Sequence, residues 1–217
     1  MSRLSENPDA LETIGPALAS PEFSPEQRRT LLRIAREAIL SVVEHRPLAV
    51  TAPLLPGLSE PRGVFSTLYL PSDPQGDIPC ELHRELRGCV GYALPIAPLY
   101  RAVAETARAA AFEDSRFVPV TKEEALKLEV SLSVLSLLFP IHPEAVKVGR
   151  HGLVVSQGAR RGLLLPQVPV EHGWDRQTFL EQTCRKADLP LDAWRKAASI
   201  EAFTAEVFSD FDAAVPC

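Results

Sequence analysis

The chain has 217 residues, 46% of them hydrophobic and 24% charged, with a formal net charge of −5. This is a globular composition with enough apolar side chains for a real core, and its acidic balance lacks the basic field that nonspecific nucleic-acid binding needs. No stretch approaches the roughly 18 uninterrupted apolar residues of a membrane span, and "MSRLSENPDALETIGPALASPEF" holds no secretory apolar run, so a cytoplasmic protein without membrane association is expected.

Residues 1–23 carry Pro8, Gly15, Pro16 and Pro21 and read as a flexible N-terminal tail. A helix follows, with Ser24 as N-cap, Pro25 at N1 and Gln27 at N3. Leu31, Ala35, Ala38 and Val42 recur at helical spacing, and the helix should end near His45, before Pro47. "GVFSTLYL" reads as a strand, and "ELRGCVGYAL" returns as a second one, the pair forming a long-looped hairpin. Pro98 opens an alanine-rich helix that stops at "EDSRF", and Thr121 with Glu124 forms a capping box for a short helix to about Lys127. "LEVSLSVL" alternates, with Val130, Leu132 and Val134 on one face and Ser131 and Ser133 on the other. "GLVVSQGARRGLLLPQV" gives two strands around a Gly158 turn. Asp175 caps a helix with Phe179, Leu180 and Ala187 on its apolar side, and "IEAFTAEVF" is the last strand. Strands and helices do not alternate as βαβ units, so the fold class expected is α+β.

The four cysteines, Cys80, Cys89, Cys184 and Cys217, form no C-x-x-C pair, and a disulfide framework is not expected. Cys80, His83 and Cys89 match no zinc spacing. No nucleotide-binding glycine loop and no iron–sulfur cysteine set is present, so no cofactor is expected and this chain is not itself a radical SAM enzyme.

"LRGCVG", "AAFEDSRFVPVTKEE", "LEVSLSVLS", "VGRHGLVV", "RRGLLLPQV" and "WDRQTFLEQTCRKA" occur in one order. In these motifs the chain resembles the AMMECR-one domain family, also called AmmeMemoRadiSam system protein A, from roughly Gly63 to Phe208. The resemblance implies antiparallel sheets flanked by helices in two unequal lobes, with a cleft between them. The AMMECR-one-like domain would span residues 24–210, the larger lobe built from both chain ends and the smaller one inserted, with a tail at 211–217. It also implies association with a Memo-type protein and a radical SAM protein, and no settled activity. Departures are Val90 where Ile is usual, Pro169 where Ala is common, and an apolar "SLLFPIHP".

Cys89 is the first candidate. A thiol flanked by Gly88 and Gly91 either meets a ligand, with neighbouring amides as an oxyanion site, or is a small apolar core residue whose glycines permit close packing. Arg87 begins on the opposite strand face and needs a bulge at Gly88 to reach the thiol. Asp114 ends a helix against its dipole, so it needs a partner: Arg116, Arg87 or a ligand. His151 is either a general base or a turn residue hydrogen-bonded in place. Gln167 and Glu171 offer polar heads beside proline-stiffened backbone, and Arg150, Arg160 and Arg161 are a potential basic rim. Cys184 and Lys186 read as structural. Three function classes stay open. One is an enzyme or enzyme component with Cys89 as nucleophile, His151 as base, Asp114 as orienter, and Arg87, Gly88, Gly91, Arg116, Gln167 and Glu171 around a small-molecule or modified-residue substrate. The second is a non-catalytic adaptor that docks a Memo-type or radical SAM partner. A distant third is a nucleic-acid-associated regulator.

Overall fold

The computed structural model describes residues 22–71 and 84–210. The expected first helix, α1, runs over Pro25–Val43, and its capping box is complete: Ser24 and Gln27 each satisfy the other's backbone N–H. Leu31, Ala35, Ala38 and Ile39 lie on its buried face. Each large apolar side chain buried this way contributes about 1.5–3 kcal/mol. Glu22 and Phe23, the last two residues of the expected tail, are docked. Phe23 is 4% exposed against Phe208, and both backbone amides donate to Glu206 Oε2.

Strands β1 (Val64–Pro71) and β2 (Arg84–Tyr92) form the expected hairpin, and α2 (Leu99–Phe112) packs over both. The short helix α3 (Lys122–Ala125) has the Thr121–Glu124 capping box. Next comes β3 (Glu129–Leu135), which buries Val130, Leu132 and Val134 as its alternation required. Beyond it lie β4 (Phe139–Pro140), β5 (Gly152–Gln157), β6 (Arg160–Leu164), α4 (Gln167–Glu171) and α5 (Arg176–Lys186), whose N-cap is Asp175.

The last stretch is not one strand. It divides at Thr204 into β7 (Ser199–Phe203) and β8 (Ala205–Ser209), which enter different sheets. Ser136 holds the crossing: its N–H donates to the Thr204 carbonyl and its hydroxyl accepts the Thr204 N–H. Ala202 and Phe203 are buried consecutively there, where one strand face would alternate.

All pairing is antiparallel. One sheet has the order β2-β1-β3-β8, with α1 and α2 on one face; the other has the order β4-β7-β5-β6, with α5 against it. Each sheet has its own core, and Leu135, Val154 and Phe203 form a small apolar cluster where the two meet. Among the described residues, no helix is long and apolar enough to cross a membrane.

Candidate functional site

The face of the first sheet away from α1 and α2 carries Phe65 and Thr67 of β1, Cys89 of β2, Ser133 and Leu135 of β3, and Ala205 and Val207 of β8. These side chains floor a pocket of about 560 Å³. Its walls come from Gly149 and Arg150, just before β5, and from Leu165, Pro166, Gln167, Val170 and Glu171, at and around α4. The volume suits a small ligand, and the lining is mostly apolar with a few polar heads. The side chains of Arg150, Gln167 and Glu171 have no hydrogen-bond or ion-pair partner among the described residues.

Cys89 lies on this floor with its Sγ 3.3 Å from Thr67 Oγ1, directly across the β1–β2 ladder. Its backbone is held from the other direction. The Cys89 N–H donates to Asp114 Oδ2 at 2.9 Å, and Arg116 Nη2 donates to the Cys89 carbonyl at 3.3 Å. Asp114 and Arg116 also grip each other, Nη2 to Oδ2 at 2.7 Å and Nε to Oδ1 at 3.0 Å. The "EDSRF" turn thus stands in for a neighbouring strand along the open edge of β2. The Arg116 guanidinium and the backbone amides hold the Asp114 carboxyl well below the usual carboxylate range. This partner explains an acid at a helix C-terminus: its gain is at the strand edge rather than along α2.

The two glycines serve close packing by the protein itself. A Cβ on Gly88 would collide with the Ala110 carbonyl of α2, and one on Gly91 would collide with the Phe65 ring. The amide of Cys89, expected as part of an oxyanion site, is already given to Asp114.

Arg87 does not reach the thiol. The expectation had the effect of a bulge reversed: Arg87 and Cys89, two residues apart, share a face in a regular strand. The β1–β2 register slips between Leu68/Gly88 and Tyr69/Leu86, so Arg87 is the extra residue of a bulge that turns it off that face. The bulge buries Arg87 and Gly88 consecutively. Arg87 Nε and Nη2 bond both oxygens of Glu124, at 3.0 and 3.1 Å, which ties β2 to α3. Arg87 Nη1 is buried without a hydrogen-bond partner.

His151 is 8% exposed and does not line the pocket, although Gly149 and Arg150 do. Its Nδ1 accepts the Lys147 N–H at 3.2 Å, and its ring meets Phe139 edge-on. Burial, with Arg150 and Lys147 adding repulsion, pushes its pKa below the ordinary value. The structure therefore brings Cys89, Gln167 and Glu171 to one pocket, sets Asp114 and Arg116 behind Cys89, and leaves Arg87 and His151 out of the pocket lining. Arg160 donates to the Asp188 carbonyl and Arg161 faces Glu201, so of the expected basic rim only Arg150 lines the pocket. Cys184 is buried in the second core, where desolvation raises its pKa. Cys80 and His83 lie outside the described residues, and among the described residues no group of three or more His, Cys, Asp or Glu side chains is placed to hold a metal.

Phe65, Thr67, Ser133 and Val207 were not singled out from sequence. For the first three the signal was present in the period-two alternation of "VFSTLYL" and "LEVSLSVL", which puts Phe65 with Thr67 and Ser131 with Ser133 on the faces opposite the core.

Comparison with known proteins agrees with the resemblance seen in the motifs. The AMMECR1 family model matches residues 32–208. A Thermococcus gammatolerans protein is 45% identical over 188 residues, covering 83% of this chain and 88% of its own length. An Aquifex aeolicus protein is 38% identical over 189 residues, covering 84% of this chain and 92% of its own length. The crystal structure of uncharacterized protein PH0010 from Pyrococcus horikoshii superposes with a TM-score of 0.60 at 41% identity, covering 82% of this chain and 89% of that one.

Proposed function

The chain belongs to the AMMECR1 family, and from that premise we propose that it is a binding module. Its pocket over Cys89 and Thr67 receives a small, partly apolar ligand or side chain and performs no thiol chemistry of its own. One observation carries this reading: the groups that would activate the thiol are committed elsewhere. The arrangement expected from sequence activates a cysteine nucleophile through an adjacent base that is itself oriented by a third group. Here the thiol contacts a threonine hydroxyl, His151 Nδ1 accepts from Lys147, and Asp114 is spent on the Cys89 backbone and Arg116. What remains is an apolar floor with uncommitted polar heads at its wall, which is the make-up of a recognition site. A module of this kind fits association with a Memo-type or radical SAM protein, to which it would dock or present its ligand.

The fluorescent anion 1-anilinonaphthalene-8-sulfonate tests the pocket, because its rings suit the floor and its sulfonate suits Arg150. Saturable binding to the folded protein is expected, weakened at least severalfold by Ser133→Phe, which fills the floor, and by Arg150→Glu. Absent binding, or binding indifferent to both substitutions, would remove the pocket from the account. Titration calorimetry against the Memo-type and radical SAM proteins of the same cell tests the partner half, and no heat with either would discard it.

The enzyme-component reading keeps one observation, a thiol that opens onto the pocket. The alkylation experiment that closes the Discussion decides between the two.

A further inference from the structure

The first sheet has two edges, and the fold treats them differently. In an antiparallel ladder alternate residues turn both backbone groups toward the neighbouring strand, and the residues between turn them away. Leu135 donates its N–H to Gly63, on the β1 side, while Ser136 donates to Thr204, and Asp210 donates to Val130, on the β8 side. Combined with the register, the even residues of β8 face β3, so the N–H and C=O groups of Ala205 and Val207 face outward. The same parity turns the Cys89 groups outward at the other edge. There Asp114 and Arg116 cover them. Among the described residues the outward backbone groups of Ala205 and Val207 have no hydrogen-bond partner; Ala205 is half-buried and Val207 is 61% exposed. An open edge is a template for another strand, and proteins ordinarily blunt it.

This open edge adjoins the pocket, because the side chains of Ala205 and Val207 are part of its floor. We propose that β8 takes an extended peptide as a fifth strand, seating one apolar side chain of that peptide in the pocket. The inference rests on the binding-module reading and names its ligand class. Two outward donor–acceptor sets, two residues and so about 6.8 Å apart, match a peptide backbone. The two faces of β8 set the pattern of its side chains. Toward the pocket they meet Val207 and Ala205 and should be apolar. Toward the helices they meet Glu206, which Arg28 holds in an ion pair, and should be polar. Strand addition of this type draws affinity from main-chain bonds and specificity from alternate side chains.

The probe is the peptide Ac-Thr-Val-Thr-Val-Thr-Val-Lys-NH2, followed by amide hydrogen exchange of the labelled full-length protein. At ten times its Kd it should slow exchange of the Val207 amide about tenfold. The protection should vanish with the backbone N-methylated peptide of the same sequence. It should also vanish, as peptide-induced line shifts, in Val207→Pro. Proline at this outward position removes an edge donor without breaking a ladder bond. Three results overturn the inference: no protection of Val207 by the peptide, equal binding to Val207→Pro, or protection that grows with protein concentration alone, which marks a second copy on the edge. Sulfonate-probe binding separates the two levels. If it persists when the peptide fails, only the strand addition is wrong; if it too is absent, the pocket reading has failed.

Discussion

Asp114 holds Cys89 by its backbone: the carboxylate takes the Cys89 N–H at 2.9 Å while the thiol lies on the pocket face of the sheet. The side chain of Asp114 is only 7% exposed, and Arg116 completes the grip through the Cys89 carbonyl. Removing the carboxylate leaves an edge amide and an arginine without their partner. Asp114→Ala is expected to destabilise by about 2 kcal/mol, the scale of a hydrogen bond to a charged group. Arg116→Ala, at an exposed guanidinium screened by solvent, should do less. Chemical denaturation of both variants checks the order.

The same carboxylate gives an acid dependence. Its pKa in the fold lies below its ordinary 3.8, so the folded state binds this proton less readily than the unfolded chain. The stabilisation it supplies is complete above about 3.8 and is lost as pH falls through the lower folded value. Asp114→Asn should flatten that acid limb in denaturation midpoints recorded from pH 5 downward.

His151 acts at milder pH. Burial lowers its pKa from 6.5, so the fold favours the neutral ring. Its contribution is full above 6.5 and declines as pH falls toward the depressed folded value. His151→Gln, which keeps an acceptor near the Lys147 N–H, should lose less melting temperature between pH 7 and pH 5 than the wild type. An equal loss would mean that the ring is not buried neutral.

Arg87, buried, and Glu124, half-buried, form the staple between β2 and α3. Glu124→Ala strands a guanidinium whose side chain is 9% exposed, and it also breaks the Thr121 capping box. A loss of about 3 kcal/mol is expected. Glu124→Ala combined with Arg87→Met should recover part of it, because an apolar pair removes the orphaned charge.

Gly88 tests the close approach of α2 to β2. The atom that a Cβ would strike is the backbone carbonyl of Ala110, which cannot swing aside as a side chain can. Gly88→Ala should therefore destabilise by about 2 kcal/mol through forced separation of helix and sheet. Melting temperature reports this directly, and a neutral substitution would show the approach to be looser.

Much of the fold was legible because its determinants are local. Ser24–Gln27, Thr121–Glu124 and Asp175 lie within a turn of the helices they start, and the alternation of β3 needs no distant information. The division at Thr204 was not legible, because a continuous β-rich stretch does not reveal that its halves join different sheets; that follows from Ser136, far off in sequence. Helix α4 was missed because Pro166 and Pro169 read as stiff loop. At the site, the residue types were legible and their partners were not. Arg87 was expected to reach Cys89 through a bulge, and the one-residue bulge that is present sends it to Glu124 instead. Gln167 and Glu171 share the pocket with Cys89 because the second sheet places α4 there, a relation no spacing encodes.

The most direct test of the central claim is the rate of Cys89 alkylation by iodoacetamide against pH, resolved by peptide mass spectrometry, in wild type and His151→Gln. The two profiles are expected to superimpose, with Ser133→Phe slowing the reaction throughout by occluding the pocket. A loss of tenfold or more at neutral pH in His151→Gln would mean that the histidine serves the thiol as a base, and the protein would then be an enzyme built on Cys89 rather than a binding module.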